Sequence, residues 1–297
     1  MIEFLFLDLD DTILDFHKAE RIALEKTLRT LGLEPTDTVM RRYSQINKEH
    51  WERLERKEIT REFLLVSRFA ELMKEFGIDV SPELCARTYE QNLSIGHYFM
   101  PGAREAVEAL SKKYKLYITS NGTSKIQAGR LESAAISHFF QDIFISQDIG
   151  INKPDKGYFD RCFARIPGFD PQKAMIVGDS LTSDILGGKQ AGIATCWVNP
   201  KGAAPRADIV PDYEVPSLAQ LEALLETING AGKNQDSKPY YLPIFMSIGI
   251  SVGMALGAAT HNIPIGMCLG LGIGLCLGAG LDAQKRKENE TKENSDT

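Results

Sequence analysis

Asp8, Asp10 and Asp11 stand directly behind the apolar run Phe4-Leu5-Phe6-Leu7 in the opening stretch MIEFLFLDLDDTIL. Ionised carboxylates are costly to bury without partners, so these acids belong where a buried strand emerges from the core. In an open α/β sheet that place is the carboxyl edge, where ligands bind. Two readings are open from these residues alone. Aspartate is favoured in turns and at helix N-termini, so the cluster could simply punctuate the chain. Alternatively, Asp8 and Asp10 share one side of the strand, being two residues apart. Asp8 would then serve as nucleophile or metal ligand while Asp10 handles a proton.

Three later stretches also place polar residues just past an expected strand: ITSNG with Ser120 and Asn121, NKPDKGYF with Lys153, and VGDSLTSD with Asp179 and Asp184. Each has an ordinary explanation when taken singly, as a helix start, a solvated charge or a turn. Together, at one sheet edge, they are harder to dismiss.

The set, DLDDT, TSNG, the lysine of NKPD and GDSLTSD in that order, resembles the haloacid dehalogenase superfamily over roughly residues 1 to 229. The resemblance implies that Asp8 attacks phosphorus to give an aspartyl-phosphate, dividing one difficult displacement into two easier ones. It implies Asp10 as general acid for the leaving alcohol and then as base for water. Mg²⁺ would be held by the Asp8 carboxylate, the Asp10 carbonyl and Asp179. Ser120, the Asn121 amide and Lys153 would contact the phosphate, and Asp184 would orient metal-bound water or Lys153. Dehalogenases lack an acid at the position of Asp10, so its presence favours phosphoryl transfer over carbon–halogen cleavage.

The elements that must position these groups follow from periodicity. Residues 17 to 98 lack strand alternation and are expected to be helical, with segments at about 17–32, 36–57, 60–77 and 82–96. From Met100 onward helices alternate with the apolar strands YKLYIT, DIFIS, AMIVG and ATCWV. That alternation predicts an α/β fold, a Rossmann-like parallel sheet with helices on both faces, which the first strand joins across the helical insertion. The expected organisation is a core of 1–15 plus 100–229, a helical cap of 16–99, a linker of 230–241, a hydrophobic hairpin of 242–281 and a polar tail of 282–297.

Within the cap, INKEHWERLERKEIT and SRFAEL resemble the pyrimidine 5′-nucleotidase branch, as do ITSNGTSKIQAGRLE and NKPDKGYFD in the core. The implied substrate is a nucleoside monophosphate, including modified pyrimidine nucleotides. Trp51 could stack on a base and Asn47 or Arg68 could hydrogen-bond to one. Equally, Trp51 could pack between cap helices and Arg68 could pair with a glutamate. His17, His50 and His97 carry no motif. A sugar or organic phosphate phosphatase and a phosphomutase share the same motifs. An interaction protein recruited to membranes, with incidental phosphatase activity, is the alternative from another class.

The formal charge of −6 gives no electrostatic case for a nucleic acid polymer as partner. The five cysteines contain no CxxC pair, which points to reduced thiols in a cytosolic compartment, and no secretory signal is expected. The sharpest break in the chain is the run of 43 residues from Pro239 to Leu281, which holds no Asp, Glu, Lys or Arg. Leu242–Ala259 and Ile263–Leu281 approach the length of about 20 residues that spans a bilayer, with THNIP as the turn. Gly249, Gly253 and Gly257, then Gly266, Gly270, Gly274 and Gly278, recur every fourth residue and permit close helix packing and self-association. Tyr240 and Tyr241 suit an interfacial belt. Lys233 and Lys238 before the hairpin, with Lys285, Arg286 and Lys287 after it, predict a transmembrane hairpin with both ends cytoplasmic. The catalytic domain would then be anchored to the cell membrane from the cytoplasm.

Overall fold

The computed structural model describes residues 1–204, 206–236, 241–259 and 263–293. The chain divides into two compact units, Met1–Glu226 and Thr227–Thr297.

In the first unit, β1 (Phe4–Asp8) is buried along its whole length, as its unbroken apolar run requires. Four helices follow: α1 (Phe16–Thr30), α2 (Asp37–Glu55), α3 (Arg61–Phe76) and α4 (Pro82–Ser94). Their starts are written in the sequence. The side chains of Asp15, Thr36, Thr60 and Ser81 each accept a main-chain N–H of the first turn, and Gly77 ends α3 in the left-handed conformation. Leu24, Leu28, Tyr43, Ile46, Phe69, Leu72 and Tyr89 bury the facing stripes of these helices in one cluster.

The chain then alternates through α5 (Ala103–Ser111), β2 (Lys115–Ser120), α6 (Ser124–Ala134), β3 (Asp142–Ile145), α7 (Ser146–Ile149), α8 (Lys156–Phe163) and β4 (Ala174–Gly178). A wide turn of π type over Leu181–Ile185 runs into α9 (Leu186–Ala191). After it come β5 (Ala194–Val198), β6 (Tyr213–Val215) and α10 (Leu221–Asp236). The sheet is entirely parallel, in the order β3-β2-β1-β4-β5-β6. β1 is the switch point, because the crossovers run outward from it in both directions. A crevice therefore opens past the carboxyl ends of β1, β2 and β4.

Two crossings join the helical cap to the sheet, and they are paired. Leu14 bridges Phe99, Asp15 N–H donates to Tyr98 O at 2.7 Å, and Met100 N–H donates to Ile13 O at 3.0 Å. This pairing seats the cap above the same edge from which Asp8 emerges.

Three features differ from the expectation. β6 has three residues, too few for an alternation to register. The polar stretch from Gly230 is helical as far as Asp236, since Ala, Lys and Gln extend an established helix readily despite their polarity. The polar tail after Leu281 is likewise helical, to Glu293.

In the second unit, α11 (Tyr241–Ala259) and α12 (Ile263–Glu293) pack against each other antiparallel. Asp282, near the middle of α12, is buried and accepts the Tyr241 main-chain N–H at 2.9 Å, capping α11. A Cβ on Gly274 would lie 2.3 Å from the Phe245 carbonyl oxygen, so the two backbones meet where a side chain has no room. Gly270, Gly274 and Gly278 are buried in the register of four, while Leu269, Ile273 and Leu277 are exposed. Among the described residues, no helix is long and apolar enough to cross a membrane. The expected turn at 260–262, and Tyr240 and Lys238, lie outside the described residues.

Candidate active site

Asp8 closes β1 in register with Thr119 of β2, one residue before Ser120. Gly178 ends β4 beside them and delivers Asp179. The glycine is demanded by packing, since a Cβ there would lie 2.2 Å from Asp184 Oδ2. The π-type turn wraps Asp184 back under the loop, where its carboxylate accepts the Ser180 main-chain N–H at 3.2 Å.

Lys153 is 1 % exposed, and its Nζ donates to Asp8 Oδ1 at 2.7 Å, Asp184 Oδ1 at 2.6 Å and the Thr119 carbonyl at 3.0 Å. Burial opposes its charge, but Asp184 and Asp8 outweigh that and hold the ammonium above its ordinary pKa. Asp8, Asp179 and Asp184 bring carboxylate oxygens within 4.8 Å of one another. Three carboxylates face one ammonium. Desolvation, then repulsion from Asp8 and Asp184, raises Asp179 well above the carboxylate range, and desolvation does the same to Asp8 despite Lys153. Carboxylates crowded so closely that their ionisation is opposed offer hard oxygen donors that fit a divalent cation such as Mg²⁺, whose charge would let them ionise together. Asp184, expected to act from behind the metal, therefore also stands within the group able to hold it.

The Asp cluster divides its labour. Asp11, at φ 56°, lines the cavity and also caps α1, accepting Phe16 N–H at 2.9 Å and His17 N–H at 3.3 Å. The capping reading of the cluster thus applies to Asp11. Asp10 lies in the cavity, its two carboxylate oxygens engaged by Arg130 Nη1 and, at 2.6 Å, by Gln127 Nε2. Gln127 Nε2 also donates to Ser120 Oγ at 2.9 Å.

Asn121 is the knot between loops. Its side chain accepts Lys153 N–H at 2.8 Å and donates to Lys153 O at 2.9 Å and Ser183 Oγ at 3.2 Å. From the cap, Arg61 reaches the same knot. Nη1 donates to the carbonyls of Asn121 and Gly122, both at 2.8 Å, and Nη2 to Ser146 Oγ at 2.8 Å and Asn152 Oδ1 at 2.7 Å. Glu55 of α2 makes a second bridge, accepting from Thr182 Oγ1 at 3.3 Å.

These groups surround a cavity of about 370 Å³, within the size range of small-molecule sites. One end carries Asp8, Asp10, Ser120, Asn121, Lys153, Asp179 and Asp184; the cap contributes Phe16, Trp51, Leu65 and Leu93 together with the charged Lys48, Glu52, Glu55 and Arg68. Trp51 and Arg68 thus line it. Asn47 does not: it stands behind Arg68, accepting from Arg68 Nη1 at 2.7 Å and donating to Glu20 at 2.6 Å. Sequence reasoning passed over Gln127, Arg130 and Arg61. The available signal was the spacing of Gln127 and Arg130, three apart on one face of α6.

Residues 5–198 match the family model described as haloacid dehalogenase-like hydrolase, and residues 241–284 match one described as glycine zipper membrane protein. YfnB of Bacillus subtilis (strain 168) is 39% identical over 225 residues, covering 76% of this chain and 96% of that protein. Pyrimidine 5′-nucleotidase PynA of Streptococcus pneumoniae is 36% identical, covering 74% of this chain and 93% of that one. Pyrimidine 5′-nucleotidase YjjG of Escherichia coli (strain K12) is 30% identical, covering 75% and 97%. The magnesium-bound crystal structure of YfnB superposes with a TM-score of 0.72 at 38% identity, over 75% of this chain and 98% of that one. The chain belongs to the haloacid dehalogenase-like hydrolases, and its C-terminal hairpin is a glycine zipper.

Proposed function

We propose that this hydrolase is a magnesium-dependent phosphomonoesterase that cleaves pyrimidine nucleoside 5′-monophosphates. The observation that carries the reading is the meeting of two kinds of surface in one cavity. Asp8 and Asp10 share its polar end with Ser120 and Lys153, and the cap lines the other with Phe16, Trp51, Leu65 and Leu93 set among the charged Lys48, Glu52, Glu55 and Arg68.

The substrate phosphate sits at the polar end, on Ser120, the Asn121 N–H and Lys153. An Asp8 oxygen forms a bond to phosphorus as the bond to the sugar oxygen breaks, and Asp10 gives that oxygen its proton. Asp10, now ionised, takes a proton from water, whose oxygen displaces Asp8 and releases inorganic phosphate. Lys153 balances charge at Asp8 and on the phosphate oxygens throughout. Asp8, Asp179 and Asp184, with the Asp10 carbonyl, would hold Mg²⁺, which would supply electrostatic relief between nucleophile and phosphate.

The leaving nucleoside occupies the cap end. Trp51, with the Arg61 guanidinium 5.6 Å from its ring centre, offers a face for stacking. Arg68 lines the same end of the cavity, a guanidinium donor suited to a base carbonyl. Asn47 holds Arg68 in place. The names of PynA and YjjG support this substrate class.

The same proposal places the glycine-zipper hairpin in a membrane, with the catalytic unit on the cytoplasmic side. Support comes from the uncharged run Pro239–Leu281, the flanking lysines and arginine, and the exposed apolar side chains of α11 and α12.

Initial rates with Mg²⁺ on a panel of nucleoside monophosphates and sugar phosphates test the reading. Uridine and thymidine monophosphates are expected to lead in kcat/KM, and Asp8→Asn to abolish turnover. A preference for hexose phosphates of about tenfold or more would overturn the substrate class. Wild-type turnover by Asp8→Asn would overturn the covalent mechanism.

A further inference from the structure

Arg130 is a charged side chain with no exposure, yet its carboxylate partner is Asp10 on the cavity surface. Burying a guanidinium is costly unless it is paired and hydrogen-bonded, so this placement calls for a reason. Arg130 Nε donates to the Gly96 carbonyl at 3.0 Å, on the second crossing between cap and sheet. Nη1 donates to Asp10 Oδ1 and also to Gln127 Oε1, the latter at 3.0 Å. The last contact fixes the Gln127 amide: with its oxygen taken by a donor, its nitrogen must face acceptors. Those acceptors are Asp10 Oδ2 and Ser120 Oγ. Each Asp10 oxygen therefore receives one hydrogen bond from α6 and keeps another lone pair for a proton.

We propose that Arg130 is a positioning residue for proton transfer. It fixes the rotamer of Asp10, directly and through Gln127, with the Gly96 carbonyl as its own anchor. This inference rests on the reading of the chain as a phosphomonoesterase with Asp10 as the acid. A side chain held at both oxygens cannot swing out of line with the departing ester oxygen. Without Arg130, Asp10 loses its aim, and only leaving groups that need protonation suffer. An alkoxide leaving group needs the proton; p-nitrophenolate departs without it.

The test compares kcat/KM for uridine 5′-monophosphate with kcat/KM for p-nitrophenyl phosphate. The ratio kcat/KM covers the steps through release of the first leaving group, so the later attack of water does not enter it. For Arg130→Met, kcat/KM on the nucleotide is expected to fall on the order of tenfold or more, and that on the aryl ester to stay within about threefold. Arg130→Lys, which keeps a charged donor, should fall between wild type and Arg130→Met, and it serves alone if the methionine variant does not fold. Equal losses on both substrates would show a merely structural arginine and overturn the proposal, as would no loss on either. Asp10→Asn is the control for the underlying reading. If Asp10→Asn shows the split between substrates and the Arg130 variants do not, the positioning role fails alone; if Asp10→Asn shows no split, the assignment of the acid fails first.

Discussion

Arg61 Nη1 donates to the main-chain carbonyl of Asn121 at 2.8 Å, so the first residue of a cap helix grips the loop assigned to the phosphate. The same guanidinium holds Asn152, next to Lys153, and no carboxylate pairs with it among the described residues. Burial lowers its pKa, yet four neutral acceptors keep it in place.

Arg61→Ala is expected to loosen the cap and both phosphate loops together. Hydrogen bonds to charged groups contribute about 1.5–3 kcal/mol each in net stability. We expect KM for the phosphate ester to rise on the order of tenfold. Added guanidinium should restore part of the loss, because the pocket for it remains lined by carbonyl and amide oxygens. Unchanged KM in the alanine variant would sink this role.

Arg61 also marks the limit of what the sequence could tell. β1 and its aspartates were legible because an apolar run ending in acids has few physical interpretations. The motif loops were legible because each follows a strand whose composition declares it. Asp11 was legible only as one of two options, and a φ of 56° with two capping contacts separates it from its neighbours. Arg61, Gln127 and Arg130 were not, because their roles depend on partners 60, 117 and 120 residues away. Spacing along α6 sets Gln127 and Arg130 on one face but does not say which partners that face meets. The same holds for Asn47, whose polar groups are consumed by Glu20 and Arg68 within the cap.

The crowded carboxylates give a metal test that does not depend on turnover. Burial raises the folded-state pKa of both Asp8 and Asp179 above the unfolded value of 3.8. Without metal, their contribution to stability is present below that value and is lost as pH rises through the folded values. Mg²⁺ needs both groups ionised, so it competes with those protons. The rise in Tm on adding Mg²⁺ should therefore be larger at about pH 8 than at about pH 5. Asp179→Asn should flatten that difference. A Tm shift equal at the two pH values in the unmodified chain would count against the cluster as the metal site.

The hairpin yields the last prediction. Gly274 meets the Phe245 carbonyl where a Cβ would stand 2.3 Å away, and Asp282 caps Tyr241 on the neighbouring helix. Small residues let backbones approach closely in membranes, where tight packing replaces the hydrophobic drive that operates in water. The side chains turned outward, among them Ile248, Val252, Leu256, Leu269, Ile273 and Leu277, form an apolar surface that water solvates poorly. In lipid the same surface would be matched, and under the proposed attachment the basic residues on either side would hold its ends at the cytoplasmic face. The full-length chain should sediment with membranes and require detergent for release. A chain ending at Asp236 should stay in the supernatant with its kcat/KM intact, because the cavity is built wholly from the first unit. Gly274→Leu should leave catalysis unchanged while making the hairpin susceptible to protease in detergent, since the leucine forces the helices apart. Full-length protein that remains in the supernatant after ultracentrifugation would reject membrane attachment and reassign the zipper to contacts between protein surfaces.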